Sequence, residues 1–128
     1  MGNADVALSA LGAVRGGDLE TARRFVAEDF VWHIPGRGPI SGDVTGLAGW
    51  HEKLSRLVAA GLQPELLGML EGGDKVAVLQ QNRATHGPHQ LDVSVVNVFT
   101  ISDARVRRLD TYFGDQYHAD GFWTAVLG

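Results

Sequence analysis

The sequence predicts a single α+β domain in which three N-terminal helices precede a run of antiparallel strands. Three observations support this class: apolar residues at helical spacing in the first half, alternating apolar and polar residues from Pro64 onward, and short turns between the later segments. The 128 residues match a common domain size, and 45% of them are hydrophobic, which is enough for one core. We therefore expect one domain over residues 1–128.

The helices are predicted from apolar spacing and from their end signals. The first has Asp5 as its N-cap, ends at Gly16-Gly17 and carries apolar residues on one face, namely Val6, Leu8, Leu11 and Val14. Asp18 is predicted to cap a second helix with residues 21–27 as its body. A third, ending at Gly61, follows from the spacing of Leu47, Trp50, Leu54, Leu57 and Val58.

Five strands are predicted around the helices. Residues 30–34 are β-branched or aromatic and end at Pro35-Gly36, and the glycine- and proline-rich stretch 35–46 is expected to be a loop. Residues 64–70, 75–85, 90–101 and 105–113 alternate, with turns typical of antiparallel hairpins between them. A capped helical turn follows over residues 115–123. Because the strands are long, we expect a curved mixed or antiparallel sheet with the helices on its concave face, forming a cone with an internal pocket.

Composition argues against several classes of function. The net charge is −4, and the basic residues cluster only at Arg105, Arg107 and Arg108, so a nucleic-acid partner is not expected. There is no cysteine, and no apolar run approaches the roughly 18 residues of a membrane span. The N-terminus has no basic region typical of a signal peptide, so a cytoplasmic protein without a membrane partner is expected. His86 and His89 flank a Gly-Pro turn without a third ligand nearby, so neither a metal nor another cofactor is expected.

Two segments resemble a known family. FVWHIPGRGPISG (residues 30–42) and VVNVFTISDARVRRLDTYFGDQYHADGFW (residues 95–123) resemble SnoaL-like proteins. These are relatives of polyketide cyclases, ketosteroid isomerases and limonene-type epoxide hydrolases in the nuclear-transport-factor-like superfamily. The resemblance covers roughly residues 5–123 and implies the fold, but this fold hosts many activities.

The resemblance allows the chemistry of the family to be tested position by position. Where the steroid isomerases have their aspartate base, this chain has His33; where they have an oxyanion tyrosine, it has Ala10; and their second donor falls near Asn97. Steroid isomerisation by that mechanism is therefore not expected. The last-strand acid of the epoxide hydrolases and cyclases falls at Thr111 with Asp110 beside it, and the sequence leaves open which of the two faces the pocket.

The remaining pattern suggests a cofactor-independent enzyme that moves a proton on a small apolar carbonyl or polyketide-like compound, by isomerisation, cyclisation or dehydration. In this hypothesis His33 transfers the proton, Asn97 holds the oxyanion and Asp110 is a third catalytic candidate. The predicted substrate-binding residues are mostly bulky and apolar: Trp32, Trp50, Leu54, Phe99, Thr111 and Tyr112.

Two alternatives remain open at the level of sequence. The domain could be a non-catalytic module that binds a small ligand or a partner, or it could be an epoxide hydrolase-like enzyme. The resemblance also implies a homodimer through the outer face of the sheet, and the apolar Val96 and Val98, on the strand face opposite Asn97, are consistent with it.

Overall fold

Alternating residues build a six-stranded mixed sheet in the computed structural model, which describes residues 1–128. Its strands are β1 (Val26–Ile34), β2 (Gly42–Thr45), β3 (Gln63–Gly72), β4 (Lys75–His86), β5 (His89–Ser102) and β6 (Arg105–Phe113). Their order across the sheet is β2-β1-β6-β5-β4-β3. The β1–β6 pair is parallel and the other four pairs are antiparallel. The predicted α+β class with a mixed sheet is confirmed.

Two-residue turns join the last four strands into consecutive hairpins. Gly73 and Gly87 begin the first two turns with φ of 58° and 59°, a region that glycine enters at little steric cost. In the third turn, the residues with positive φ are Asp103 and Ala104, at 54° and 59°. Positive φ at both central residues gives the backbone twist that matches the flanking strands, so the hairpin forms even without glycine.

Four helices accompany the sheet: α1 (Asn3–Arg15), α2 (Leu19–Ala22), α3 (Gly46–Ala59) and α4 (Gln116–Leu127). The face of the sheet that α1 and α3 cover is called the inner face below: α1 contacts β3 to β6, and α3 contacts β1 and β2. Helix α4 packs against β5 and extends past the predicted end at residue 123. The core lies between the helices and the inner face, and its largest fully buried side chains include Trp50, Phe30 and Phe99.

Several predicted boundaries differ from the structure. Helix α2 ends at Ala22 and β1 begins at Val26, because Val26 pairs with Val106 of β6 at the point where the helix was expected to continue. The predicted loop 35–46 contains β2, which pairs with the end of β1. Helix α1 begins before Asp5, and the Asp5 carboxylate accepts a hydrogen bond from the Gly2 N–H at 3.2 Å. The four hairpin strands match the predictions to within two residues at each end.

The C-terminal helix is fixed to the loop after β1. Asp115 caps α4 by accepting from the His118 N–H at 2.9 Å, and Asp120 accepts from the Arg37 N–H at 3.2 Å. Gly36 lies under this contact with φ +96°, and a Cβ there would collide with Gln116 and Asp120. The two acids therefore hold the helix in place. None of the helices is long and apolar enough to cross a membrane.

Candidate functional site

A largely apolar cavity lies between the helices and the inner face of the sheet. It has a volume of about 50 Å³, and 13 of the 19 residues that line it are hydrophobic. One water needs roughly 10–15 Å³ measured in this way, so the space admits more than a single water. The helices contribute Leu11, Trp50, Leu54, Leu57 and Trp123 to its wall.

The cavity continues into an open vestibule of about 600 Å³ between the ends of α1 and α3 and the start of β3. Four residues line both spaces: Arg15, Leu54, Leu62 and Pro64. A smaller side groove of about 120 Å³ lies between α1 and the strands β3 and β4, and it shares Leu11, Arg15 and Gln80 with the cavity. The three spaces therefore adjoin one another at Arg15.

A chain of hydrogen bonds, called the polar row here, crosses the sheet side of the cavity. The Trp32 indole N–H donates to Thr111 Oγ1 at 2.9 Å, and the Thr111 hydroxyl donates to Asn97 Oδ1 at 2.7 Å. The Asn97 amide donates to Gln80 Oε1 at 3.2 Å, and the Gln80 amide donates to Asn82 Oδ1 at 2.7 Å. Because an indole nitrogen can only donate, the chain has a direction that begins at Trp32 and ends at Asn82.

The last member of the polar row has hydrogen-bonding capacity to spare. Asn82 accepts through its oxygen, but its amide nitrogen makes no hydrogen bond within the protein. Every side-chain nitrogen or oxygen that is fully buried in this protein has a hydrogen-bond partner. Because the Asn82 amide nitrogen has none, it must retain some accessible surface. The residue is 8% exposed and lines the cavity, so the cavity wall includes a residue whose amide nitrogen has no partner in the protein.

The structure places five of the six predicted substrate-binding residues in the cavity wall: Trp32, Trp50, Leu54, Phe99 and Thr111. Asn97, predicted as a catalytic residue, joins them through β5, on the face that also presents Val95 and Phe99. Ala10, which occupies the family position of an oxyanion tyrosine, is buried in the core and does not line the cavity.

His33 lies on the opposite face of β1, so its predicted position in the pocket is wrong. Trp32 and Ile34 point inward, and alternation along the strand directs the residue between them outward. The His33 Nδ1 lies 2.6 Å from Asp43 Oδ1 on β2, and the two side chains are 44% and 58% exposed. His33 therefore forms a pair on the outer surface and does not contact the cavity.

Asp110 and Tyr112 also lie outside the cavity. The structure answers the open question about β6: Thr111 faces the cavity, and its two neighbours face outward. Asp110 accepts two hydrogen bonds from Arg108 Nε at 2.9 and 3.1 Å, which raises the pKa of the Arg108 guanidinium above its ordinary value. The Tyr112 side chain is 56% exposed on the outer face.

Three polar residues of the site are missing from the sequence-based prediction: Gln80, Asn82 and Arg15. Gln80 and Asn82 lie on the same face of β4 as Val76, Val78 and Ala84, so two amides interrupt an otherwise apolar face. A polar residue in an apolar row also identified Asn97 on β5, so the same argument could have predicted Gln80 and Asn82 from the sequence. Arg15 has no comparable signal, because a basic residue in the last turn of a helix is common.

Arg15 is the one ionisable side chain among the residues that line the cavity, the vestibule and the side groove. Partial burial lowers the pKa of its guanidinium below the ordinary value. The wall thus has neutral hydrogen-bonding groups inside and one positive charge at its entrance. His86 and His89 pair across their hairpin turn, and no three His, Asp or Glu side chains lie close enough together to bind a metal ion.

Solved structures share this architecture. Bal32a, from a soil-derived mobile gene cassette, is 30% identical over 94% of this chain and 95% of that protein, with a TM-score of 0.83. A putative SnoaL-like polyketide cyclase from Jannaschia sp. CCS1 is 18% identical over 96% and 92% of the two chains, with a TM-score of 0.75. TerC, co-crystallised with polyporic acid, is 22% identical over 94% and 96%, also with a TM-score of 0.75.

No curated protein matches the sequence. The profile of the SnoaL-like domain family matches residues 8–109, which include most of α1, all of α2 and α3, the strands β1 to β5 and the first part of β6. The match includes four of the five residues of the polar row, and Thr111 lies just beyond its end. The chain therefore belongs to the family of SnoaL-like domains.

Proposed function

We propose that this domain binds a small, largely apolar compound whose carbonyl or hydroxyl oxygen accepts a hydrogen bond from Asn82. The observation that carries the proposal is the unpaired Asn82 amide nitrogen at the end of the polar row, in a cavity with a mostly apolar wall. Ligand sites combine apolar walls with a few polar groups that orient the ligand, and this wall has that composition.

The polar row supports the proposal because it holds its donor in place. Thr111, Asn97 and Gln80 each accept one hydrogen bond and donate one within the row, and Asn82 cannot rotate without losing the bond from Gln80. A donor fixed in this way loses little conformational freedom when a ligand binds. The aromatic side chains of Trp32, Trp50 and Phe99 offer flat apolar surface beside it.

Proton-transfer catalysis is the second candidate function, and the amide donors favour it. In an apolar surrounding, Asn82 and Asn97 could stabilise an enolate oxygen that develops on a carbonyl substrate. No carboxylate or imidazole lines the cavity, since His33 and Asp110 face outward. A proton acceptor would therefore have to come from the substrate or from water, which places binding ahead of catalysis as the proposal. Among the solved relatives, the Jannaschia protein is described as a putative polyketide cyclase.

The proposal predicts that the protein binds a ketone more tightly than a hydrocarbon of the same shape. Acetophenone and α-methylstyrene, in which a CH₂ group replaces the carbonyl oxygen, form such a pair, and we expect about fivefold tighter binding of the ketone, since one net hydrogen bond contributes about 1 kcal/mol. Asn82→Leu should remove the preference, because leucine has similar size and no donor. The measurement is an NMR titration of the ¹⁵N side-chain amides, with Trp32 Nε1 as a second reporter.

Gln81→Leu is the matched control for this experiment. Gln81 is the neighbouring amide on the outer face of β4 and bonds to Asp92 and Ser94, so its loss should leave the preference unchanged. Binding of neither compound, or a ketone preference that survives in Asn82→Leu, would contradict the proposal. The same sample prepared in D₂O tests proton-transfer catalysis, the second candidate function. If the methyl protons of acetophenone exchange with solvent no faster with the protein than without it, enolisation is excluded.

We also propose a homodimer through the outer face of the sheet. Leu70, Val96, Val98 and Tyr112 share this face, and Leu70 and Tyr112 are 62% and 56% exposed. Burying these side chains against a second copy would remove apolar surface from water. We expect a dimer by size exclusion with light scattering at micromolar protein, and a shift towards monomer in Tyr112→Arg. A monomer at that concentration in the unchanged protein would refute the proposal.

A further inference from the structure

Arg15 occupies a particular position among the spaces inside the protein. It lies in the last turn of α1 and is the one residue that lines the cavity, the vestibule and the side groove together. The cavity and the vestibule meet where their walls share Arg15, Leu54, Leu62 and Pro64, and Arg15 supplies the one charge at this boundary. Its position is therefore that of a selective group at an entrance.

The Arg15 side chain has no partner within the protein. It makes no ion pair and no hydrogen bond, whereas Arg83, Arg107 and Arg108 each bind a carboxylate. Arg15 remains exposed to solvent as a residue, and burial of part of its side chain lowers the pKa of the guanidinium below its ordinary value. A positive charge that is partly desolvated and unpaired gains more from a bound anion than a fully hydrated one does.

The surroundings of Arg15 favour an anion with a single charge. None of the residues that line the three spaces is acidic, so no carboxylate of their walls competes for the guanidinium. No second basic side chain is present there either. Arg15 also lies at the C-terminal end of a helix, where the partial negative charge of the backbone disfavours a dianion such as a phosphate monoester more strongly than a monoanion. A carboxylate matches one guanidinium in charge and in its two-oxygen geometry.

We infer that the ligand of this domain carries a carboxylate, which Arg15 binds at the entrance while the apolar part of the ligand occupies the cavity. This inference rests on the proposed ligand-binding function and specifies its ligand class as small, apolar carboxylic acids. The two polar features then act at different points of one molecule: Asn82 meets an oxygen inside the cavity, and Arg15 meets the acid group at its mouth.

The test uses 3-phenylpropanoate and its neutral analogue 3-phenylpropanamide, with dissociation constants measured by calorimetry at pH 7 and low salt. Wild-type protein should bind the acid about tenfold more tightly than the amide, since charge-assisted hydrogen bonds are the stronger kind. Arg15→Gln should weaken binding of the acid about tenfold and change binding of the amide less than twofold. Arg15→Lys keeps the positive charge but lacks the paired N–H donors of a guanidinium, so it should retain part of the preference for the acid over the amide.

Arg56→Gln is the matched control, because Arg56 lies in the last turn of α3 and lines none of the three spaces. It should leave both constants within twofold of wild type. Equal binding of acid and amide to wild type, or equal losses in Arg15→Gln and Arg56→Gln, would overturn the inference and leave the proposed function standing. If neither compound binds while acetophenone does, the inference alone is wrong. If acetophenone also fails to bind, the proposed function is wrong as well.

Discussion

Replacing Trp50 with alanine is expected to destabilise the protein by about 3–5 kcal/mol, the range for large aromatic side chains removed from a core. Trp50 is 1% exposed and joins α3 to the sheet: its ring stacks on Phe30 of β1 at 4.8 Å between centroids and lies 6.3 Å from Phe99 of β5. It also lines the cavity, so the void left by alanine would merge with a space that is already empty of protein.

This loss is a large fraction of the roughly 5–15 kcal/mol that stabilises a typical domain, so the variant should unfold at clearly lower urea concentration. Equilibrium unfolding followed by far-UV circular dichroism measures it. Tyr117→Ala is the control: Tyr117 is 92% exposed on α4, and its replacement should change the free energy of unfolding by less than about 0.5 kcal/mol. Equal unfolding curves for the two variants would contradict the role assigned to Trp50.

The order of the elements could be predicted from the sequence because local signals and tertiary structure agree along most of the chain. The strand 105–113 is predicted with the bounds that the structure shows, since a turn precedes it, although an irregularity at Arg107 and Arg108 interrupts the alternation of its residues. The prediction fails where a local signal is ambiguous. Phe25 and Val26 fit the buried side of a helix as well as a strand, and only pairing with β6 decides for the strand.

The candidate site could be predicted in part, and alternation explains both the successes and the errors. Asn97 and Phe99 are two residues apart on β5, so alternation places them on the same face, and both line the cavity in the structure. Neighbours along a strand point to opposite faces, so Trp32 and His33 could not both face the pocket. The family position favoured His33, but the bulky apolar Trp32 takes the inner face, because burying it removes more apolar surface from water.

Arg15 and the free donor of Asn82 lie beyond what local sequence can predict. Whether a helix-terminal arginine faces solvent or an entrance depends on which elements pack beside it, and here the start of β3 and the end of α3 supply the other walls. Likewise, the direction of the polar row follows from contacts between strands that are distant in sequence, beginning with the bond from Trp32 to Thr111. Such contacts become visible only in three dimensions.

Thr111→Val is expected to destabilise the protein by about 2–4 kcal/mol although it preserves the shape of the side chain. The Thr111 hydroxyl accepts from Trp32 and donates to Asn97, so valine leaves an indole N–H and an amide oxygen without their partners. Each unsatisfied buried group costs about 1–3 kcal/mol, and Thr111 itself is 5% exposed. Urea unfolding gives the loss, and the ¹H shift of the Trp32 indole should move upfield as its hydrogen bond disappears.

Two further variants separate the hydroxyl from the rest of the side chain. Thr111→Ser keeps both hydrogen bonds and should restore the indole shift, with a loss of stability of about 1 kcal/mol for the missing methyl group. Thr100→Val removes a hydroxyl that accepts from the exposed Lys75 ammonium, where water can replace it, so it should cost less than about 1 kcal/mol. If Thr111→Val proved as mild as Thr100→Val and left the indole shift unchanged, the polar row would not be the constraint that holds Asn97, Gln80 and Asn82 towards the ligand.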